Sequence, residues 1–129
     1  MLSVLVLVAG CTVDTTTPRE IPWDRAACDE CAMLISDPRF AAELVTTDGE
    51  TRMFDDPACL FRYITAHHPS IGNLWFRDST ADGWLSWSGV AFVPARGGPM
   101  DGGVAAVPVG TDGAIGFGEA SARVVGGGR

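Results

Sequence analysis

Two Asp-Gly dipeptides, Asp48-Gly49 and Asp82-Gly83, constrain this chain most, because each lies between apolar runs. Such a pair accepts the left-handed backbone of a tight turn and so predicts a β-hairpin. The first joins "RFAAELVTT" to "ETRMFD"; the second, within "STADG", joins "NLWFRDS" to "GWLSWSGVAFVP". Behind the first hairpin comes "DDPACLFRYITAHHP". Asp56 is a good N-cap, Pro57 suits the first helical position and Pro69 stops the run, which predicts a helix over 57–67. Leu60, Phe61 and Ile64 share one face of that helix and direct it onto the hairpin. Behind the second, "GGVAAVPV" reads as a strand and "GEASARVV" as a short helix. The expected fold class is α+β: two small β-hairpin-plus-helix units (ββα-type, treble-clef-like) packed together, over 28–72 and 73–129.

The N-terminus has a different character. "MLSVLVLVAG" is ten uncharged, mainly apolar residues, too few for a membrane-spanning helix but suited to the core of an export signal. "VAGC" has the small residues a signal peptidase accepts ahead of a cysteine that is then lipidated. This predicts a signal peptide over 1–10 and lipid on Cys11. No Lys or Arg precedes the apolar run, so the start codon is expected a little upstream. Residues 11–27, rich in Thr and Pro, read as a flexible tether with only Trp23 able to pack. The chain is therefore expected outside the cytoplasm, periplasmic or extracytoplasmic, and anchored to the membrane.

A net charge of −7, with nine Arg and no Lys, argues against nucleic acid as a partner and gives no polybasic attraction to lipid. With Cys11 lipidated, three of the four cysteines remain: Cys28, Cys31 and Cys59. An odd number cannot pair fully within one chain, so at least one thiol has another use.

Cys28 and Cys31 form a C-x-x-C, a spacing compatible with a disulfide, a redox pair or a metal. Redox catalysis of the thioredoxin kind needs such a pair at a helix start behind a strand, and no strand precedes this one. A hairpin with C-x-x-C at its base, followed by a helix bearing Cys59 near its start, has the layout of a metal knuckle. For zinc, a fourth ligand would have to come from His67 or His68, about 12–15 Å along the same helix. Methionine is a poor zinc ligand and a good one for Cu(I). Met33 follows Cys31 by two residues, and Met100 stands in the glycine loop "RGGPMDGG". Met53, inside a strand pattern, reads as core. The paired Asp55-Asp56 is accounted for by helix capping. No Ser-His-Asp arrangement or phosphate loop stands out, and the chain is not expected to be an enzyme.

"CDECAM", "FAAELVTTDGETRMFDDPACLFRY", "RDSTADGWLSWSGVAFVP" and "GGPMDGGVAAVP" together resemble the NosL family of copper-binding lipoproteins associated with nitrous oxide reductase assembly. The resemblance runs from Cys28 to about Pro108. It implies a Cu(I)-binding metallochaperone with Cys31, Met33 and Met100 as ligands and Cys28 as an auxiliary one. The implied partners are nitrous oxide reductase or another exported copper enzyme, and its maturation machinery with a membrane transporter complex. Ala32 replaces the family's Gly and Asp101 the Gly after Met100. Two other readings stay open: a structural zinc-knuckle interaction module using Cys28, Cys31 and Cys59, and a thiol enzyme acting on organomercurials or disulfides.

Overall fold

The computed structural model describes residues 5–7, 10 and 12–127, and is α+β. The lipidation candidate Cys11 lies outside the described residues. Strands β1 (Ala42–Thr46) and β2 (Thr51–Phe54) form the first hairpin, with Gly49 at φ 91° in its turn. Helix α1 spans Pro57–His67, the range its caps predict. Asp56 caps it: its Oδ1 accepts the Ala58 amide at 2.8 Å, an interaction that supplies about 1 kcal/mol. His68 closes the other end with φ 47°, its amide donating to the Ile64 carbonyl.

Strand β3 (Ile71–Arg77) pairs antiparallel with β1, and β4 (Trp84–Ser86) pairs with β3, giving one four-stranded sheet in the order β2-β1-β3-β4. Residue 72, the expected boundary between units, thus lies within a strand of the first sheet. "GWLSWSGVAFVP" divides at Trp87–Gly89: its second part, β5 (Val90–Pro94), pairs with β6 (Val104–Pro108) in a separate sheet. Helix α2 (Phe117–Gly126) lies against α1.

The physical reason for one joined body is that neither half buries enough surface alone. Phe61 of α1 meets Phe92 of β5 at 5.3 Å and Phe117 of α2 at 5.2 Å between ring centroids. Phe76 of β3 meets Phe92 at 5.1 Å, edge to face. Phe54, Phe61, Phe76 and Phe92 are fully buried, and each contributes about 1.5–3 kcal/mol by that burial. They form a single aromatic core between the two halves.

Alternation along β1 sends Ala42 and Leu44 into that core and Glu43 and Val45 to the other face. Yet Glu43 and Val45 are also buried, because residues 12–21 lie across that face. Val13 sits against Gly49, and the Thr15 carbonyl accepts from Asn73 Nδ2 at 2.8 Å. The Arg19 amide donates to Glu43 Oε2 at 2.8 Å, and Ile21 is buried. The segment expected as a flexible tether therefore follows the sheet for most of its length.

Burial pushes the Glu43 carboxyl from its ordinary 4.5 up to about 7, against the opposing pull of the Arg19 amide and charge. The folded state thus favours the protonated acid. That contribution to stability is complete below pH 4.5 and is lost as pH rises through about 7. Thermal melts between those two values should show the loss in the wild type, and Glu43→Gln should flatten that part of the profile. A variant whose profile overlays the wild type's would contradict this assignment.

Candidate metal centre

The site begins in a miniature hairpin. Ala27 and Leu34 form an isolated antiparallel bridge, and the Ile35 amide donates to the Ala26 carbonyl at 2.9 Å. At the tip, the Cys28 amide donates to the Met33 carbonyl at 2.8 Å and the Ala32 amide to the Cys28 carbonyl at 2.9 Å. Closing so tight a loop puts Ala32 at φ 64°, a conformation that suits glycine. The loop is pinned to β2: the Asp29 amide donates to the Met53 carbonyl, and the Met53 amide to Asp29 Oδ2 at 2.7 Å.

That pinning brings the loop to the junction of β2 and α1. There Asp55 ends the strand, Asp56 caps the helix, and Cys59 takes the third helical position. The Sγ atoms of Cys28, Cys31 and Cys59 and a carboxylate oxygen of Asp55 all lie within 4.8 Å of one another. These four side chains could hold a metal ion. Cys28, Cys59 and Asp55 are buried, whereas Cys31 is half-buried and opens toward solvent. All three thiols are free, and Cys31 Sγ lies 3.5 Å from each Asp55 carboxylate oxygen.

The electrostatics follow from crowding three thiols and a carboxylate into one place. The Cys59 thiol, donating to Cys28, pulls the Cys28 thiol down to about 7, burial opposes this, and the amides of Cys31, Asp55 and Glu30 reinforce the lowering. The Cys59 thiol is pushed up because it gives that hydrogen bond, and further by burial and by facing Cys28, Asp55 and Cys31. Burial pushes Cys31 up to about 11, with the Met33 amide partly opposing and Cys28 and Asp55 adding to the rise. The thiolate form is thus favoured at Cys28 and disfavoured at Cys31 and Cys59, because adjacent negative charges repel.

Among the residues singled out from sequence, Cys28 and Cys31 are brought together with Cys59. Met33 projects into solvent, 49% exposed, while its backbone closes the loop. Met100 is half-buried against the core in the glycine loop, and its amide faces the Asp56 carboxylate. Asp101, at φ 45°, is exposed. His67 and His68 are exposed at the far end of α1, as the rise of the helix requires. The candidate ligand missed was Asp55. Its signal was present, since one aspartate suffices to cap a helix and "FDDP" offers two.

The glycine loop reaches the centre through Asp56. A Cβ at Gly98 would stand 2.9 Å from Asp56 Oδ2, and one at Gly102 would stand 2.6 Å from Oδ1 and 2.4 Å from the Ala58 Cβ. Only hydrogen side chains let this loop close over the helix start that presents Cys59. Compared with known proteins, the chain matches no family model, no curated protein and no solved structure.

Two substitutions test this construction. Ala32→Gly relieves the left-handed strain and should raise stability by up to about 1 kcal/mol, read as a higher melting temperature. Gly102→Ala should lower it by about 1–3 kcal/mol by pushing the loop off Ala58 and Asp56. A neutral Gly102→Ala would mean that the loop does not rest on the helix cap.

Proposed function

We propose that this protein is a membrane-anchored Cu(I)-binding metallochaperone that passes copper to nitrous oxide reductase maturation or to another exported copper enzyme. One observation carries the reading: three cysteine thiols meet at the edge of a core that is already complete, with Cys31 open to solvent beside an exposed methionine. Soft thiolates select Cu(I), which is content with two or three ligands. Copper here is cargo, so it need not support the fold. A half-buried Cys31 lets an acceptor's sulfur approach before the buried thiols let go. Met33, flanking that opening, is a transient thioether ligand during exchange. Met100 acts at one remove, through the loop that rests on Asp56 and the start of α1. The anchor is the lipid on Cys11, and the NosL resemblance supplies the acceptor.

A second reading is favoured by the completeness of the donor set. Three Cys and one Asp are enough for a closed tetrahedral zinc site, and Asp55 supplies the fourth ligand that the histidines could not. In that case the metal would be structural and the domain an interaction module.

Anaerobic Cu(I) titration in the presence of zinc separates the two. The chaperone reading expects one tightly held Cu(I), at least a hundredfold weaker binding in Cys28→Ser and Cys31→Ser, and an unchanged circular dichroism spectrum after chelation. Met33→Ala should leave the affinity within a few-fold while slowing transfer to a competing chelator. Preference for zinc, with loss of folded structure on its removal, would replace copper transfer with the zinc module.

A further inference from the structure

We propose that residues 12–21 form a strap that docks on the outer face of the four-stranded sheet and turns the metal centre away from the membrane. This rests on the anchored reading above. The strap starts at the turn end of the sheet: Val13 lies on Gly49, and Thr15 meets Gly72 and Asn73. It then runs opposite to β1 and reaches Glu43 through the Arg19 amide before Ile21 enters the core. The thiol cluster lies at the other end of the same strands, where β2 delivers Asp55. Five residues, four of them the strand Thr51–Phe54, lie between Gly49 and Asp55, a span of at most about 20 Å. While the strap is docked, its first residues lie at the turn end, so a lipid on the chain ahead of them would tether that end, and the thiol cluster lies at the opposite end.

The same face carries a term that opposes docking. Three buried polar atoms on it lack a hydrogen-bond partner: Glu43 Oε1, Thr51 Oγ1 and Trp75 Nε1. Register places all three together, since Glu43 is opposite Trp75 on β3 and Val45 is opposite Thr51 on β2. Covering unpaired polar atoms opposes docking, and water would satisfy them on release. Two hydrogen bonds, at Asn73 and Glu43, and the burial of Ile21 stand against that cost. Undocked, ten residues extend to about 33–36 Å, enough for the domain to turn its metal centre toward a membrane-embedded partner. Docking and release therefore set which way the cargo faces.

The full lipidated chain on phosphatidylcholine vesicles tests this, with a fluorescent non-canonical amino acid at position 48 or at position 30 and an energy acceptor on the lipid headgroups. Transfer from position 48, beside the turn, should exceed that from position 30, beside the cluster, several-fold. Arg19→Pro, which removes the amide donor from the strap alone, and Glu43→Leu should bring the two efficiencies close together. Hydrogen exchange gives a separate reading, with the Arg19 amide protected in the wild type and exchanging at least tenfold faster in Glu43→Leu. Equal transfer from the two positions in the wild type, on vesicles that do bind the chain, overturns the strap alone. Failure of the chain to associate with vesicles overturns the anchored reading and the orienting role with it.

Discussion

The adjacent carboxylates of Asp55 and Asp56 hold this structure's functional half together. Both are buried, which is costly for acids unless each finds a partner. They divide the work by pointing in different directions from one strand end. Asp56 caps α1, and by starting the helix there it fixes Cys59 in the first turn, facing Cys28. Burial raises its carboxyl, with the Ala58 amide opposing. Asp55 faces Cys31 and completes the donor set. The glycine loop then closes on Asp56 from the other side, so the second half of the chain also rests on this junction.

What could be read from sequence follows from how local each signal is. Helix α1 was legible to the residue because its cap, its first-position proline and its terminating proline all lie within the segment. The turn at Asp48-Gly49 was legible for the same reason. The membership of β3 was not. Its pairing with β1 is decided by the shared aromatic core of Phe61, Phe76 and Phe92, which no local pattern announces. Likewise "GWLSWSGVAFVP" reads as one alternating run, and only the competition between two sheets splits it at Trp87–Gly89. The strap was missed because Thr, Pro and Arg carry no hydrophobic period, and its hold on the sheet uses backbone groups of Thr15 and Arg19.

The candidate site was half legible. The C-x-x-C and Cys59 were visible as thiols, but their convergence depends on Asp29 pinning the loop to Met53, a contact 24 residues apart. Met33 and Met100 attract attention as soft donors, yet they occupy different ranks. Met33 contributes its backbone to the loop and its sulfur to the surface, and Met100 lies against the core. Ala32 shows the same limit from the other side: the sequence raises the question of a positive φ, and the fold answers it at 64°.

Charge decides what such a centre can do with a metal. Three thiolates and a carboxylate would carry four negative charges within 4.8 Å of one another, and burial together with this crowding pushes the Cys31 and Cys59 thiols up. Any ion that enters must displace protons, so uptake is coupled to their release. A divalent ion would offset two charges and could be held by all four donors. A monovalent ion offsets one, which leaves the centre with reason to retain a proton on one of its thiols. The retained proton keeps that sulfur out of the coordination shell and the shell small. A small shell beside the half-buried Cys31 is what the proposed transfer to an incoming sulfur ligand would require.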